Sequence, residues 1–140
     1  MIVMMVQQVM TREVLTIGPE TPCDKARRLM DEHRIRHLPV VAGGRLVGMV
    51  SDRDIRSAAV QPSAAIVGRI MTPNPVTVSS ETRVEDAAQL MLDARIGSLP
   101  VAAGDALVGI VTYTDLLRAF VRVIEAATQE RIAVDVSEDR

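Results

Sequence analysis

The sequence is poor in aromatic side chains, and this shortage argues against one class of partner. Its 140 residues include one Tyr, one Phe and no Trp, so there is almost nothing on which nucleic-acid bases can stack. The formal net charge is -2, so there is no broad basic surface for a phosphate backbone either. We therefore expect no nucleic-acid partner.

Cysteine, histidine and long apolar runs are also scarce. Cys23 is the single cysteine, which excludes an internal disulfide and a cysteine-based metal site. His33 and His37 are the two histidines, and Pro39 disfavours a helix that would hold both as ligands. The apolar start at 1–10 is too short to span a bilayer and lacks the basic region of a signal peptide. We expect a cytoplasmic protein with no metal site and no membrane contact.

An internal repeat is the main feature that is present. Residues 9–56 align without a gap with residues 70–117, and 20 of the 48 aligned positions are identical. Both copies contain Leu-Pro-Val, then Leu-Val-Gly, and both end near an aspartate, Asp54 or Asp115. Two copies are too few for a solenoid, and units of about fifty residues bury too little surface to fold well alone. We therefore expect a pseudo-two-fold pair that shares one core.

Each copy has the pattern of a β-α-β-β-α unit. Short β-branched runs at 13–17 and 75–78 predict first strands, and residues typical of helix starts follow at 19–21 and 79–82. Apolar residues at i, i+3 and i+4 then predict an amphipathic helix. The Leu-Pro-Val and Leu-Val-Gly runs predict the two strands of a hairpin.

The predicted fold class is α/β (α+β), a pseudo-two-fold pair of β-α-β-β-α repeats. We place the first repeat with its lead-in at 1–60 and the second repeat with the connection at 61–121. A long last helix is predicted over 116–133, and residues 122–140 hold its end and a frayed polar tail.

This arrangement resembles a tandem pair of cystathionine-β-synthase-type (CBS) domains, often called a Bateman module. The resemblance rests on Met-Thr, Leu-Pro-Val and the stretches GMVSDRD (48–54) and GIVTYTD (109–115), and it covers about residues 8–120. It implies two facing sheets with clefts between the repeats that bind AMP, ADP, ATP or S-adenosylmethionine. It also implies a sensor of such ligands that regulates something else, requires no cofactor and is not a catalyst.

Two aspartates match the ribose-binding residue of that family, Asp54 and Asp115. A carboxylate can accept hydrogen bonds from both neighbouring hydroxyls of a ribose. Each aspartate also follows Ser51 or Thr112 by three positions, which is the spacing of a helix capping box. The sequence leaves both roles open.

By the same resemblance, each cleft takes its aspartate from one repeat and its other wall from the partner repeat. The first predicted cleft contains Thr16, Ile17, Ile35, Arg36, His37, Thr112 and Asp115. The second and weaker one contains Ser51, Asp54, Thr77, Val78, Ile96, Gly97 and Ser98. The two threonines before the helices also fit as strand formers, and the two isoleucines before Leu-Pro also fit as core.

The copies differ in charge beside the Leu-Pro-Val motif. Arg36 and His37 bring positive charge to the first cleft, whereas Gly97 and Ser98 bring none to the second. Because arginine holds phosphates well, we predict a phosphorylated adenosine in the first cleft. The alternative is that Arg36 lies on a solvated strand edge.

Three functions fit these observations. The leading one is an adenosine-nucleotide-sensing module that acts through a homodimer or an unknown protein partner. The second is a structural dimerisation module without a ligand. The third is a small enzyme with Ser51 or Ser98 as nucleophile and His37 as base, but no nucleophile elbow or Gly-rich phosphate loop supports it.

Overall fold

A computed structural model describes residues 3–59 and 65–138 of the chain. It confirms a mixed α/β fold in which two equivalent units follow one another. The first comprises α1 (Val6–Val9), α2 (Cys23–His33), β1 (His37–Ala42), β2 (Arg45–Ser51) and α3 (Asp52–Ala58). The second comprises a 3-10 turn (Val67–Arg69), β3 (Thr72–Pro73), α4 (Val84–Ala94), β4 (Ser98–Ala103), β5 (Ala106–Thr112) and α5 (Tyr113–Glu138). No helix of the described ranges is long and apolar enough to cross a membrane.

The predicted hairpins are present in both units. Strands β1 and β2 pair antiparallel, and β4 and β5 repeat the same register with the same irregularity. Gly43 and Gly104 start the two turns with φ of 59° and 62°, which a residue with a Cβ rarely adopts. The agreement of the two hairpins makes the pseudo-symmetry a structural fact as well as a sequence pattern.

The segments at the start of each unit, 4–11 and 65–72, exchange places. We call them the lead-in segments. The Val6 N–H donates to the Thr82 carbonyl at 2.8 Å, and the Val67 N–H donates to the Thr21 carbonyl at 2.8 Å. Further on, Thr11 pairs with β5 of the second unit, while β3, which contains Thr72, pairs with β2 of the first. Each lead-in segment therefore packs on the repeat to which it does not belong in sequence.

Buried apolar residues form two clusters, whereas the sequence suggested one shared core. The Leu38 cluster consists of Ile17, Ala26, Met30, Leu38, Val40, Val50, Ile55 and Val67. The Leu99 cluster consists of Val6, Val9, Val78, Ala87, Met91, Leu99, Val101, Val111 and Ala119. Neither cluster belongs to one repeat alone, because the exchanged lead-in segments supply Val67 to the first and Val6 and Val9 to the second. The repeats thus depend on one another through this exchange.

The predicted first strands at 13–17 and 75–78 are not formed as strands. Only their last residues join a sheet, since Ile17 makes a single parallel bridge to Val40 and Val78 makes one to Val101. The reason is the exchange of lead-in segments. Residues after Thr11 must cross from the sheet of the second repeat to that of the first, so they cannot follow one strand.

Helix boundaries also differ from the sequence expectation. Helices α2 and α4 begin at Cys23 and Val84, a few residues later than predicted. The carbonyls of Pro19 and Thr21 accept hydrogen bonds from the 65–72 segment, so these residues are held outside the helix. Helix α5 begins earlier than predicted and continues to Glu138, so residues 134–138 lie within the helix and not after it. Residues 139–140 and part of the predicted connection, 60–64, lie outside the described residues.

Candidate functional site

Asp115 is a nearly buried carboxylate at the start of α5, with 6% of its surface exposed. Its Oδ2 accepts from the Thr112 backbone N–H at 2.9 Å and from the Thr112 hydroxyl at 3.2 Å. Its own N–H points back to the Thr112 hydroxyl at 3.4 Å, which completes a capping box. Its Oδ1 accepts from the Thr11 hydroxyl at 3.2 Å. The carboxylate therefore joins the helix start to the lead-in segment of the first repeat.

Asp54 has the same local geometry with fewer partners. The Ser51 N–H donates to its Oδ2 at 2.9 Å, and its own N–H donates to the Ser51 hydroxyl at 3.1 Å. The capping role that the sequence left open is therefore present in both repeats. Asp54 is half-buried, and no hydrogen bond from Thr72, the counterpart of Thr11, reaches its carboxylate within the described residues. The two carboxylates are thus equivalent in the helix but not in their surroundings.

The cavity beside Asp115 lies between the first lead-in segment and α5. It has a volume of about 740 Å³. Its wall is formed by Gln8, Val9, Met10, Thr11, Thr114, Asp115, Leu117, Arg118, Val121 and Arg122. Four apolar side chains share this wall with three polar and three charged ones, so it offers both apolar surface and groups that can hold a polar ligand.

A smaller cavity of about 260 Å³ lies between the two hairpins. Thr16 lines it, together with Arg12 and Val14 from the crossing segment and residues 106–108 from β5. Arg45 and Asp105 form an ion pair of 3.0 Å between the hairpins, and both side chains are exposed. Of the first predicted cleft, Asp115 therefore lines the larger cavity and Thr16 lines the smaller one.

The remaining predicted cleft residues come from both repeats. Ile17 and Val78 belong to the two clusters, and Ile35 and Ile96 pack against them, so the core role that the sequence left open for the isoleucines is present. Ser98 is buried at the start of β4. Thr77 and Arg36 are exposed and line neither of the two cavities.

His37 lies where the two repeats meet. A Cβ built on Gly97 would lie 3.3 Å from the imidazole carbon Cε1 of His37 and 3.3 Å from the Tyr113 ring. Burial lowers the pKa of His37 below its ordinary value, an effect that Asp54 opposes and Arg36 reinforces. His37 is the Cα partner of Ser51 across β1 and β2, and Ser51 is the residue that caps the helix carrying Asp54.

Sequence reasoning missed the arginines at the larger cavity. Arg118 and Arg122 lie three and seven residues after Asp115, so they continue along the same side of α5. That spacing was visible in the sequence. However, the sequence analysis predicted this part of the chain only as a long last helix over 116–133, so nothing marked these two.

Two CBS domains match the chain, at residues 6–61 and 67–122. A CBS domain-containing protein of Dictyostelium discoideum is 35% identical over 136 residues, which cover 86% of this chain and 94% of that protein. An inosine-5'-monophosphate dehydrogenase of Korarchaeum cryptofilum is 41% identical over 106 residues, but the match spans 75% of this chain and only 22% of the enzyme. The likeness to the enzyme is therefore confined to a small part of it.

Solved structures agree with these matches. The structure of CBSX2 in complex with AMP, a protein known from Arabidopsis thaliana, has a TM-score of 0.79 and 33% identity, and the match covers 85% of this chain and 97% of that one. The CBS domain pair of protein MJ0100, in complex with 5'-methylthioadenosine and S-adenosyl-L-methionine, has a TM-score of 0.80 and 30% identity over the same shares. With two CBS-domain matches over most of its length, the same pairing of repeats and these structural neighbours, the chain belongs to the CBS-domain family as a CBS pair.

Proposed function

We propose that this protein is a regulatory module that binds an adenosine-bearing ligand at Asp115. The observation that carries the proposal is a carboxylate, 6% exposed, on the wall of a cavity of about 740 Å³. Structural neighbours of similar size hold AMP, 5'-methylthioadenosine or S-adenosylmethionine. Those ligands share an adenosine ribose, whose two hydroxyls suit one carboxylate.

Ligand binding at Asp115 requires an exchange of hydrogen bonds. Oδ1 already accepts from the Thr11 hydroxyl, so two ribose hydroxyls can bind this oxygen only if they displace that donor. Oδ2 keeps its two contacts with Thr112, which hold the carboxylate in place. The site is therefore preorganised by the helix start, and the released partner lies on the lead-in segment of the other repeat.

The other predicted cleft residues remain part of the proposal. Thr16, Ile17, Ile35, Arg36 and His37 would complete the Asp115 cleft from the first repeat. Asp54 with Ser51 would form the second and weaker cleft, with Thr77, Val78, Ile96, Gly97 and Ser98. Of the residues proposed for the two clefts, Asp115 is the one that lines the cavity of about 740 Å³.

The signal is proposed to pass through a homodimer and a protein partner rather than through catalysis. One face of α5 carries large apolar side chains that are about half exposed or more, Tyr113, Leu117, Phe120, Val121 and Ile124. Such a face is typical of a protein–protein interface. Leu117 and Val121 also line the Asp115 cavity, so ligand occupancy and dimer packing act on the same helix.

Calorimetric titration with AMP, ADP, ATP, S-adenosylmethionine and NAD tests the proposal. Asp115→Asn keeps the shape and a capping acceptor but loses the charge, and we expect it to abolish or strongly weaken binding. Asp54→Asn is the matched control in the first repeat and should have a small effect. Bound nucleotide should be recovered intact, since no turnover is proposed. If none of the five compounds binds, the structural dimerisation function replaces this one.

A further inference from the structure

The Asp115 cavity holds two arginines on the same helix as its carboxylate. Arg118 and Arg122 follow Asp115 by three and seven residues, and all three side chains line one wall. With a helix rise of about 1.5 Å per residue, they lie about 4.5 and 10.5 Å further along the axis. When the ribose of a ligand is bound to Asp115, the guanidinium groups of Arg118 and Arg122 therefore lie beyond it, toward the C-terminal end of α5.

Neither arginine forms an ion pair with a side chain in the part of the chain that the structure describes. The ion pairs found in the described ranges use Arg45, Arg56 and Arg83, and no hydrogen bond or ion pair of the Arg118 or Arg122 side chain is present there. Asp115 is the one acidic group on the cavity wall. With two cationic groups against one carboxylate, the wall has a formal excess of one positive charge, which favours an anionic ligand.

The first repeat has no equivalent of this pair. The counterparts of Arg118 and Arg122, sixty-one positions earlier, are Ser57 and Gln61 in the sequence. Ser57 is exposed at the end of α3. An asymmetry between the clefts is therefore built into the residues after the aspartates, independently of Arg36 and His37.

We propose that Arg118 and Arg122 form a phosphate-binding wall, so that the Asp115 cavity selects adenosine mono-, di- or triphosphates over uncharged adenosine and cationic S-adenosylmethionine. This inference rests on the proposed function, because it assumes that the ribose lies on Asp115. Guanidinium groups bind phosphate oxygens through pairs of parallel N–H donors. The sulfonium of S-adenosylmethionine, by contrast, would be repelled by the same groups.

Titration of five protein forms with adenosine, AMP, ATP and S-adenosylmethionine tests the inference. The forms are the wild type, the Arg118→Ala/Arg122→Ala double variant, Arg36→Ala, Arg28→Ala and Asp115→Asn. Arg28→Ala is the matched control, because Arg28 is an exposed arginine on α2 that lines neither cavity. Both cavity arginines are exposed, so unchanged thermal unfolding is expected and will exclude misfolding.

We expect the double variant to lose about tenfold or more in affinity for AMP and ATP, given the strength of hydrogen bonds to charged groups. Its affinity for adenosine should not change, while Asp115→Asn should weaken adenosine and AMP alike. If the double variant binds AMP as tightly as the wild type while Asp115→Asn fails to bind, the inference is wrong and the proposed function stands. If Arg36→Ala loses affinity for AMP and the double variant does not, the phosphate is bound by Arg36 of the first predicted cleft and not by Arg118 and Arg122. Failure of every adenosine compound to bind the wild type would overturn both.

Discussion

The exchange of lead-in segments makes a quantitative prediction about valines that lie far apart in the sequence. Val67 and Val50 are fully buried in the Leu38 cluster, and their counterparts Val6 and Val111 are fully buried in the Leu99 cluster. Replacing one valine with alanine removes two methyl groups, each worth about 0.8 kcal/mol of transfer free energy. With the cavity that remains, we expect a loss of about 2 kcal/mol in the free energy of unfolding for Val67→Ala.

A double-mutant cycle shows which repeat each lead-in segment stabilises. Val67→Ala combined with Val50→Ala alters one cluster twice, so we expect the losses to deviate from additivity by about 0.5 kcal/mol or more. Val67→Ala combined with Val111→Ala alters two different clusters, so its losses should add within about 0.5 kcal/mol. The matched cycles with Val6 should show the reverse, coupling to Val111 and additivity with Val50.

Urea unfolding followed by circular dichroism measures all of these free energies. Each variant should keep the slope of the wild-type curve, so that the shift in midpoint reports stability alone. The reasoning is refuted if Val67 couples to Val111 and not to Val50, because the lead-in segment would then pack on its own repeat. A loss below about 0.5 kcal/mol for Val67→Ala, as for an ordinary surface substitution, would also refute it.

Three further predictions follow from single positions. A Cβ at Gly109 would lie 2.7 Å from the Met10 sulfur, so Gly109→Ala should lower the free energy of unfolding by about 1–3 kcal/mol in urea unfolding, and a neutral result would contradict the close approach. Burial lowers the pKa of His37 in the folded protein. Below the ordinary histidine pKa of about 6.5, the unfolded chain therefore binds more protons at this residue than the folded protein does. Stability should therefore fall as the pH drops below that value, and His37→Gln should make the thermal melting temperature depend less on pH. Phe120→Glu places a charge on the exposed face of α5 and should convert the proposed homodimer to a monomer in sedimentation velocity; a dimer that persists would place the interface elsewhere.

The sequence was sufficient for the fold but not for how its parts connect. The gap-free repeat, the hairpin motifs and the apolar spacing of α2 and α4 predicted the units correctly, because each is a local pattern. The strands at 13–17 and 75–78 were predicted from β-branched residues, but their place depends on which repeat the preceding segment packs against. That partner is a long-range choice, and local propensity contains no information about it.

The candidate site, like the fold, was predictable only where it depends on local sequence patterns. Asp54 and Asp115 were identified from a motif, and their capping geometry follows from a spacing of three residues. The hydrogen bond from Thr11 to Asp115 joins residues 104 positions apart, so no local pattern could indicate it. Arg118 and Arg122 were missed for the same reason, since their proposed role depends on a cavity whose opposite wall is the lead-in segment of the other repeat.

The exchanged segments also bear on how such a chain can arise and be divided. A chain with a single unit would have a lead-in segment that could pack only on a second copy of that chain. Duplication of the unit within one gene would convert this association between two molecules into packing within one molecule. The covalent link then raises the effective concentration of the partner surface. Two separately expressed halves, 1–59 and 65–138, would each carry a segment that completes the other's core. They should bind each other as complementary fragments rather than behave as two independent domains.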